Sequence, residues 1–211
     1  MSKRGLFIVF EGLDRCGKTS QCENLVNFLK ESGKKAIMKR YPDRTTTIGQ
    51  TINNYLQGKQ NLSDQAIHLI FSANRWEQQE EIKKILDEGT NIVCDRYCYS
   101  GAVYTSAKGY DIEWCKNPDK GLIKPDIVLY LHAPKEVISK RSGFGGEVYE
   151  KEEFQQKVRE AFDNLLQKED NVVFIDASGT KEEVFDLINQ NIKKVFEDAS
   201  TKDQKISHLW I

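Results

Sequence analysis

Nothing in this 211-residue chain is apolar for long enough to cross a bilayer. The stretch after Met1-Ser-Lys-Arg-Gly5 is only LFIVF, too brief even for the apolar region of a secretion signal, and no later run approaches the ~20 residues a span requires. One-signed charge is missing as well. Against 31 basic residues stand 32 acidic ones, a formal net charge of −1, so the field that holds non-specific nucleic-acid and membrane-surface binders to their partners is absent. The five cysteines, Cys16, Cys22, Cys94, Cys98 and Cys115, are odd in number with no C-x-x-C pair, and His68, His132 and His208 are scattered. Neither a disulfide framework nor a zinc site fits that pattern. The expectation is a soluble protein of a reducing compartment, the cytoplasm or alternatively the nucleus, compatible with a small charged ligand.

No repeat and no linker divides the chain, and its length suits one α/β core, so residues 1–211 read as a single domain. Five short β-rich runs, 6–10, 35–40, 91–95, 126–131 and 171–176, alternate with helical patterns, which predicts a five-stranded parallel sheet with helices on both faces. Ser63 is the expected N-cap of one long helix closed by Gly89, with Leu62 and Ile67 at staple positions, and Thr180 with Glu183 forms a capping box before the last helix. Between two helical patterns, residues 141–150 carry Gly143, Gly145 and Gly146, the composition of a short lid or of an ordinary surface turn. The tail, 199–211, is polar until Leu209, Trp210 and Ile211, which either dock on the body or leave the tail mobile.

Gly12, Gly17, Lys18 and Thr19 make the spacing G-x-x-x-x-G-K-[ST]. In a chain of this length that pattern arises by chance on the order of one time in a hundred. Here it follows a predicted strand and opens a predicted helix, where backbone N–H groups and the helix dipole converge on an anion. In such a nest Lys18 would reach the β- and γ-phosphates and the Thr19 hydroxyl would ligand Mg²⁺, and the residues expected around ATP are Gly12, Arg15, Cys16 and Gly17 with Ser20 in the first turn of the helix. Asp14 and Arg15 stand inside the nest as an opposed pair whose purpose the spacing does not explain. Cys16 is either a reactive thiol at a helix N-terminus or an inert small residue. The N-K-x-D of guanine readers is absent. Asp95, at the C-terminal end of the third strand, suits a water-mediated Mg²⁺ carboxylate or a turn. Arg44, Arg75 and Arg96 are either forks for a second phosphate or a base edge, or solvated surface charges. Phe71 and Arg75 share a helix face, either as a nucleobase platform or as a core ring with a snorkelling arginine.

The phrases FEGLDRCGKTSQ, YPDRTTTIG, LSDQAIHLIFSANRWE, NIVCDRYCYSGAVYTSAKG, KPDIVLYL and GFGGEVYE, in that order, resemble the thymidylate kinase family, its eukaryotic-type branch above all. The resemblance implies a P-loop NTPase fold, ATP and Mg²⁺ as donor and cofactor, phosphorylation of dTMP, and a homodimer. It also answers for the opposed pair: Asp14 would bind the 3′-hydroxyl of dTMP, and Arg15 would contact the transferring phosphoryl group, so that catalysis falls to Arg15, Lys18 and Arg96. By the same resemblance Arg44 and Arg96 hold the dTMP phosphate, Phe71 stacks on thymine and Arg75 reads its O4. Ser100 and Gly101 line the base pocket, Tyr104 closes on the deoxyribose, Tyr149 and Gln155 approach the sugar, and Arg141 lies over adenine. Two positions depart from the family. Tyr41-Pro42-Asp43 replaces Phe-Pro-Glu, and Glu147-Val148-Tyr149 replaces Glu-Arg-Tyr, which removes a lid arginine and leaves its task to Arg15. The rival readings are a kinase of dUMP or of a ribonucleotide, and a nucleotide-dependent switch with no acceptor.

Overall fold

The computed structural model describes residues 4–138, 149, 152–201 and 205–211. The five β-rich runs become β1 (Phe7–Gly12), β2 (Ala36–Arg40), β3 (Asn91–Asp95), β4 (Ile127–His132) and β5 (Val172–Asp176), each within two residues of its expected bounds. All pair in parallel in the order β2-β3-β1-β4-β5. β1 and β3 are buried along their whole length, which is why they read as unbroken apolar runs rather than alternating ones.

Between the strands lie α1 (Lys18–Glu31), α2 (Thr47–Leu56), α3 (Asp64–Trp76), α4 (Gln79–Asp87), α5 (Cys98–Ser106), α6 (Ile112–Lys116), a 3₁₀ turn (Asn117–Asp119), α7 (Lys135–Ile138), α8 (Glu152–Leu166) and α9 (Lys181–Thr201). α1 and α9 pack together on one face of the sheet, and α5 and α8 pack together on the other. The core is built from β1 and β4 with Leu25 and Leu29 of α1, Ala102 and Val103 of α5, Val158 and Phe162 of α8, and Ile188 and Ile192 of α9, all essentially inaccessible. Topology brings the C-terminal ends of β1, β2 and β3 side by side at one edge, with the loop after β1 running into α1. In an open parallel sheet that edge is where ligands bind.

Both predicted caps form. Ser63 Oγ accepts the Ala66 N–H at 3.3 Å. Thr180 and Glu183 bond reciprocally: the Thr180 N–H donates to Glu183 Oε2 at 2.8 Å and the Glu183 N–H to Thr180 Oγ1 at 3.2 Å.

The helix expected from Ser63 to Gly89 is, however, two helices. At Gln78 (φ −107°, ψ 0°) the backbone N–H reaches back only three residues, to Arg75 O at 3.4 Å. The Gln78 side chain turns to the β2–α2 loop, donating to Asp43 and accepting from Tyr41 Oη at 3.1 Å. Gln79 Nε2 donates to Arg75 O at 3.0 Å, which satisfies a carbonyl at the end of α3. Side-chain bonds replace part of the backbone ladder, something a period-3.6 pattern cannot report.

α9 runs to Thr201, into what the sequence assigns to the tail. Of the last three residues two dock and Ile211 stays exposed: Trp210 packs partly buried on the core, and Leu209 is fully buried, its N–H donating to Leu122 O at 2.8 Å and its carbonyl accepting the Gly121 N–H at 3.0 Å. The lid expected over 141–150, Arg141 and Val148 included, lies outside the described residues except for Tyr149. Among the described residues no helix is long and apolar enough to cross a membrane.

Candidate active site

A cleft of about 1140 Å³ opens at the C-terminal edge of β1, β2 and β3. One side of it is the loop between β1 and α1. Gly17 caps α1 at φ 88°, a left-handed conformation that glycine takes without steric cost. Gly12 (φ 142°) serves packing: a Cβ there would stand 2.3 Å from Leu131 O on β4. It does not line the cleft, and neither does Cys16, which is 2% exposed and belongs to the core as its inert reading requires. Arg15, Gly17, Lys18, Thr19 and Ser20 do line it. Lys18 folds back on the loop, donating to Gly12 O at 3.1 Å and Leu13 O at 2.6 Å. Burial, with Arg96 second, lowers its pKa, against the pull of Asp14 and Asp95.

The acid of the opposed pair is the hub of the other side. Asp14 forms a short ion pair with Arg96 Nη2, and its Oδ2 accepts from Gln155 Nε2 at 3.0 Å and Tyr104 Oη at 3.2 Å. Burial alone would raise its carboxyl, but Arg96, then Lys18 and the two hydrogen bonds, hold it below the usual aspartate range. Because the folded value is depressed, this group's stabilisation is full above the unfolded pKa and is lost as pH falls through the folded one. Asparagine mimics the protonated acid. The difference in urea midpoint between wild type and Asp14→Asn is therefore expected to be constant from pH 7 to about 5 and to shrink below about pH 4, as urea melts across that range would show.

Arg15 and Arg96 both take left-handed backbone, φ 66° and 67°. For a non-glycine residue that costs about 1–3 kcal/mol and persists only where surroundings over-determine it. For Arg96 the surroundings are plain. Besides Asp14 it donates to Gly12 O at 3.2 Å and Ser100 Oγ at 3.0 Å, and it lies over the Tyr104 ring at 5.4 Å. Beneath it is Glu11, wholly buried on β1, which accepts the N–H of Tyr97 and of Ser100 and the Ser100 hydroxyl at 2.9, 3.0 and 2.5 Å. This carboxylate caps α5, whose own N-cap, Tyr97, supplies no side-chain bond. Burial raises the Glu11 pKa, with Arg96 and these bonds opposing.

Arg44 and Phe71 line the cleft, as do Ser100, Gly101, Tyr104 and Tyr149. Arg44 Nη1 donates to Asn53 on α2 at 2.9 Å, and its loop is clamped by Asn74, which accepts the Asp43 N–H at 2.8 Å. Tyr149 packs its ring near Tyr104 and Phe154, and accepts from Lys108 Nζ at 3.0 Å. Gln155 stands behind this wall, joined to Asp14 and to Tyr149 O.

Arg75 lines the cleft as well, but it does not snorkel. Its Nε and Nη2 form a bidentate pair with Asp119 at 3.1 and 2.6 Å, with exposures of 2% and 0%. Gly101 makes room for it, since a Cβ there would meet Arg75 Nη2 at 2.7 Å.

Thr19 and Asp95, expected at a metal, meet directly, with the hydroxyl donating to Asp95 Oδ2 at 2.6 Å. Burial opposes the ionised carboxylate, yet Lys18, the Thr19 bond, Arg96 and Arg40 keep its pKa below the usual value. Among the described residues no group of three or more His, Cys, Asp or Glu could hold a metal. One hydroxyl and one carboxylate suit Mg²⁺, which keeps its waters and takes further oxygens from phosphates.

Sequence reading missed Glu11, Arg40, Lys108 and Asp119. Only Glu11 had a local signal, an acid in an apolar run immediately before the phosphate loop. The other three find their partners through the fold.

A family model described as thymidylate kinase matches residues 10–188. The chain is 46% identical to the thymidylate kinase of Danio rerio over 99% of its own length and 98% of that protein. It is 40% identical to the one from Homo sapiens, with 99% of each covered. The solved thymidylate kinase of Candida albicans superposes with a TM-score of 0.86 at 37% identity, covering 99% of both chains.

Proposed function

We propose how this chain, which belongs to the thymidylate kinase family and is an ATP:dTMP phosphotransferase with the P-loop NTPase fold, moves the phosphoryl group. The observation that carries the reading is the convergence of a phosphate loop and an Asp14–Arg96–Tyr104–Gln155 cluster on one cleft. Two phosphorylated ligands fit head to head there, ATP on the α1 side and dTMP on the α5 side.

In this reading Lys18 exchanges the carbonyls of Gly12 and Leu13 for the β- and γ-phosphates. Arg44 and Arg96 hold the acceptor phosphate. An oxygen of that phosphate attacks the γ-phosphorus in line as the bond to the ADP oxygen breaks. The acceptor is already ionised, so no protein base is needed. Arg15, projecting from the strained loop, stabilises the charge that spreads over the γ-oxygens. Mg²⁺, held by Thr19 and through water by Asp95, would supply further neutralisation of the donor phosphates. Asp14, ionised and gripped from three sides, accepts the 3′-hydroxyl. Phe71 stacks on thymine, while Arg75 reaches O4 with the N–H groups that Asp119 leaves over. Ser100 and Gly101 border the base, and Tyr104 and Tyr149 wall the sugar. By the family resemblance Arg141 would serve adenine and residues 141–150 would exclude water. We further read the chain as one kinase domain that works as a homodimer in the cytoplasm, where five buried thiols suit a reducing milieu.

The test is kcat/KM for dTMP, dUMP, dGMP, dCMP and UMP in a coupled ADP-release assay. A donor facing O4 predicts dTMP well ahead of dCMP, whose amino group leaves that donor unmatched. Equal use of the two would remove Arg75 from base reading. Gly101→Ala sharpens the point. Its Cβ drives into a guanidinium that Asp119 will not release, so KM for dTMP is expected to rise about tenfold, with KM for ATP unchanged. Equal changes in both constants would show that the crowding is not local to the base pocket.

A further inference from the structure

The Thr19–Asp95 pair has a third member. Arg40 ends β2 and stands in register with Asp95 on β3. Its Nη2 lies 2.5 Å from Thr19 Oγ1 and 3.0 Å from Asp95 Oδ2, and its Nε lies 3.2 Å from the same carboxylate oxygen. A guanidinium therefore bridges the two oxygens that the reading above gives to the metal. Asp95 Oδ2 already accepts from the Thr19 hydroxyl and from two nitrogens of Arg40, which exceeds what one carboxylate oxygen can share with a further cation.

The two charges are unequally held. The Asp95 side chain is 2% exposed and fixed at the end of a central strand, whereas that of Arg40 is 58% exposed. Arg40 can swing into solvent by rotating its own bonds, keeping its charge hydrated throughout. The neighbouring cation Lys39 has no such freedom of role, since its Nζ is tied to Glu81 at 2.9 Å and Gln78 at 3.3 Å. A buried carboxylate needs a charge partner, and Arg40 supplies one on the side open to the cleft. Arg40 also lines the cleft together with Arg15 and Arg44, so that once displaced it still faces the phosphates.

We propose that Arg40 is a resident counter-cation for the Thr19–Asp95 pair, which a divalent ion must displace, so that this arginine sets how strongly nucleotide binding depends on the metal. The proposal rests on Thr19 and Asp95 being the metal seat. It makes Arg40 a positioning residue: without metal it keeps the hydroxyl and the carboxylate aligned, and with metal it yields its place.

The test needs no turnover. ADP affinity is measured calorimetrically with excess Mg²⁺ and again with EDTA, and the ratio of the two constants is compared among wild type, Arg40→Met, Arg40→Lys and Asp95→Asn. In Arg40→Met the competing, partly solvated charge is gone, and the ratio is expected to rise about three- to tenfold. Arg40→Lys keeps a cation in place and stays near wild type. Asp95→Asn lowers the ratio. A ratio in Arg40→Met that is unchanged or smaller, with Asp95→Asn lowering it, overturns the role of Arg40 and leaves the seat standing. If Asp95→Asn leaves the ratio untouched, the seat itself is misplaced and both readings fall.

Discussion

Replacing Arg15 by alanine is expected to lower kcat by about a thousandfold while ATP affinity stays within a fewfold of wild type. The reason is positional. Arg15 sits inside the phosphate loop, between the acceptor-side hub Asp14 and the helix cap Gly17, and lines the cleft. In the mechanism proposed above, a cation there acts on the charge that develops on the γ-phosphoryl oxygens, and much less is gained from it before transfer begins. Interactions stronger in the transition state than in the ground state appear in kcat, and arginines in this role contribute about 10³–10⁵. Rapid-quench single turnover gives the chemical step, and calorimetry with ATP gives binding. A backbone artefact can be separated from the charge effect. Alanine suffers the same left-handed strain at φ 66° as arginine, whereas Arg15→Gly relieves it, so the two variants should differ in thermal stability yet lose activity equally. A single-turnover rate that survives the loss of the guanidinium would move the stabilising role to another cation, with Lys18 and Arg96 the nearest in the site.

What could be read from the sequence was whatever is local. Five strands, the capping box at Thr180, the N-cap at Ser63 and the phosphate loop each depend on residues within a few positions, and the structure holds all of them. Of the residues the family phrases point to for the acceptor, Asp14, Arg44, Phe71, Arg75, Arg96, Ser100, Gly101, Tyr104 and Tyr149 line one cleft, and Gln155 joins them through Asp14. What escaped depends on distant partners. The break at Gln78 arises because its side chain prefers Asp43, 35 residues away, to a surface position on a continuous helix. Arg75 looked like an available fork because its partner lies 44 residues on, in a 3₁₀ turn with no signature of its own. Arg40 drew no notice at the end of the run 35–40, because only strand register sets it beside Asp95.

Asp119→Ala is expected to destabilise the protein by about 3–5 kcal/mol, the usual cost of leaving one member of a buried ion pair alone. For a chain of this size that is a fall in Tm of about 10 °C by calorimetry. Arg75 and Asp119 are 2% and 0% exposed, and no water layer softens the loss. Ser72 Oγ, which lies 2.7 Å from Asp119 Oδ1 and 3.0 Å from Pro118 O, is left with the weaker of its two acceptors. The double variant Arg75→Met with Asp119→Ala removes both charges and should recover most of the stability, because a matched apolar pair is often as stable as the ion pair it replaces. Its catalysis should not recover: with no guanidinium behind Gly101 the preference for dTMP over dCMP collapses, although ATP is still bound. That separation of stability from selectivity is what assigns the pair its purpose. The pair stabilises little on balance against an apolar replacement, and on this reading Asp119 serves to fix the direction of the remaining Arg75 N–H groups. If the double variant keeps the dTMP preference, the pair is structural and base reading lies with Phe71 and the α5 wall.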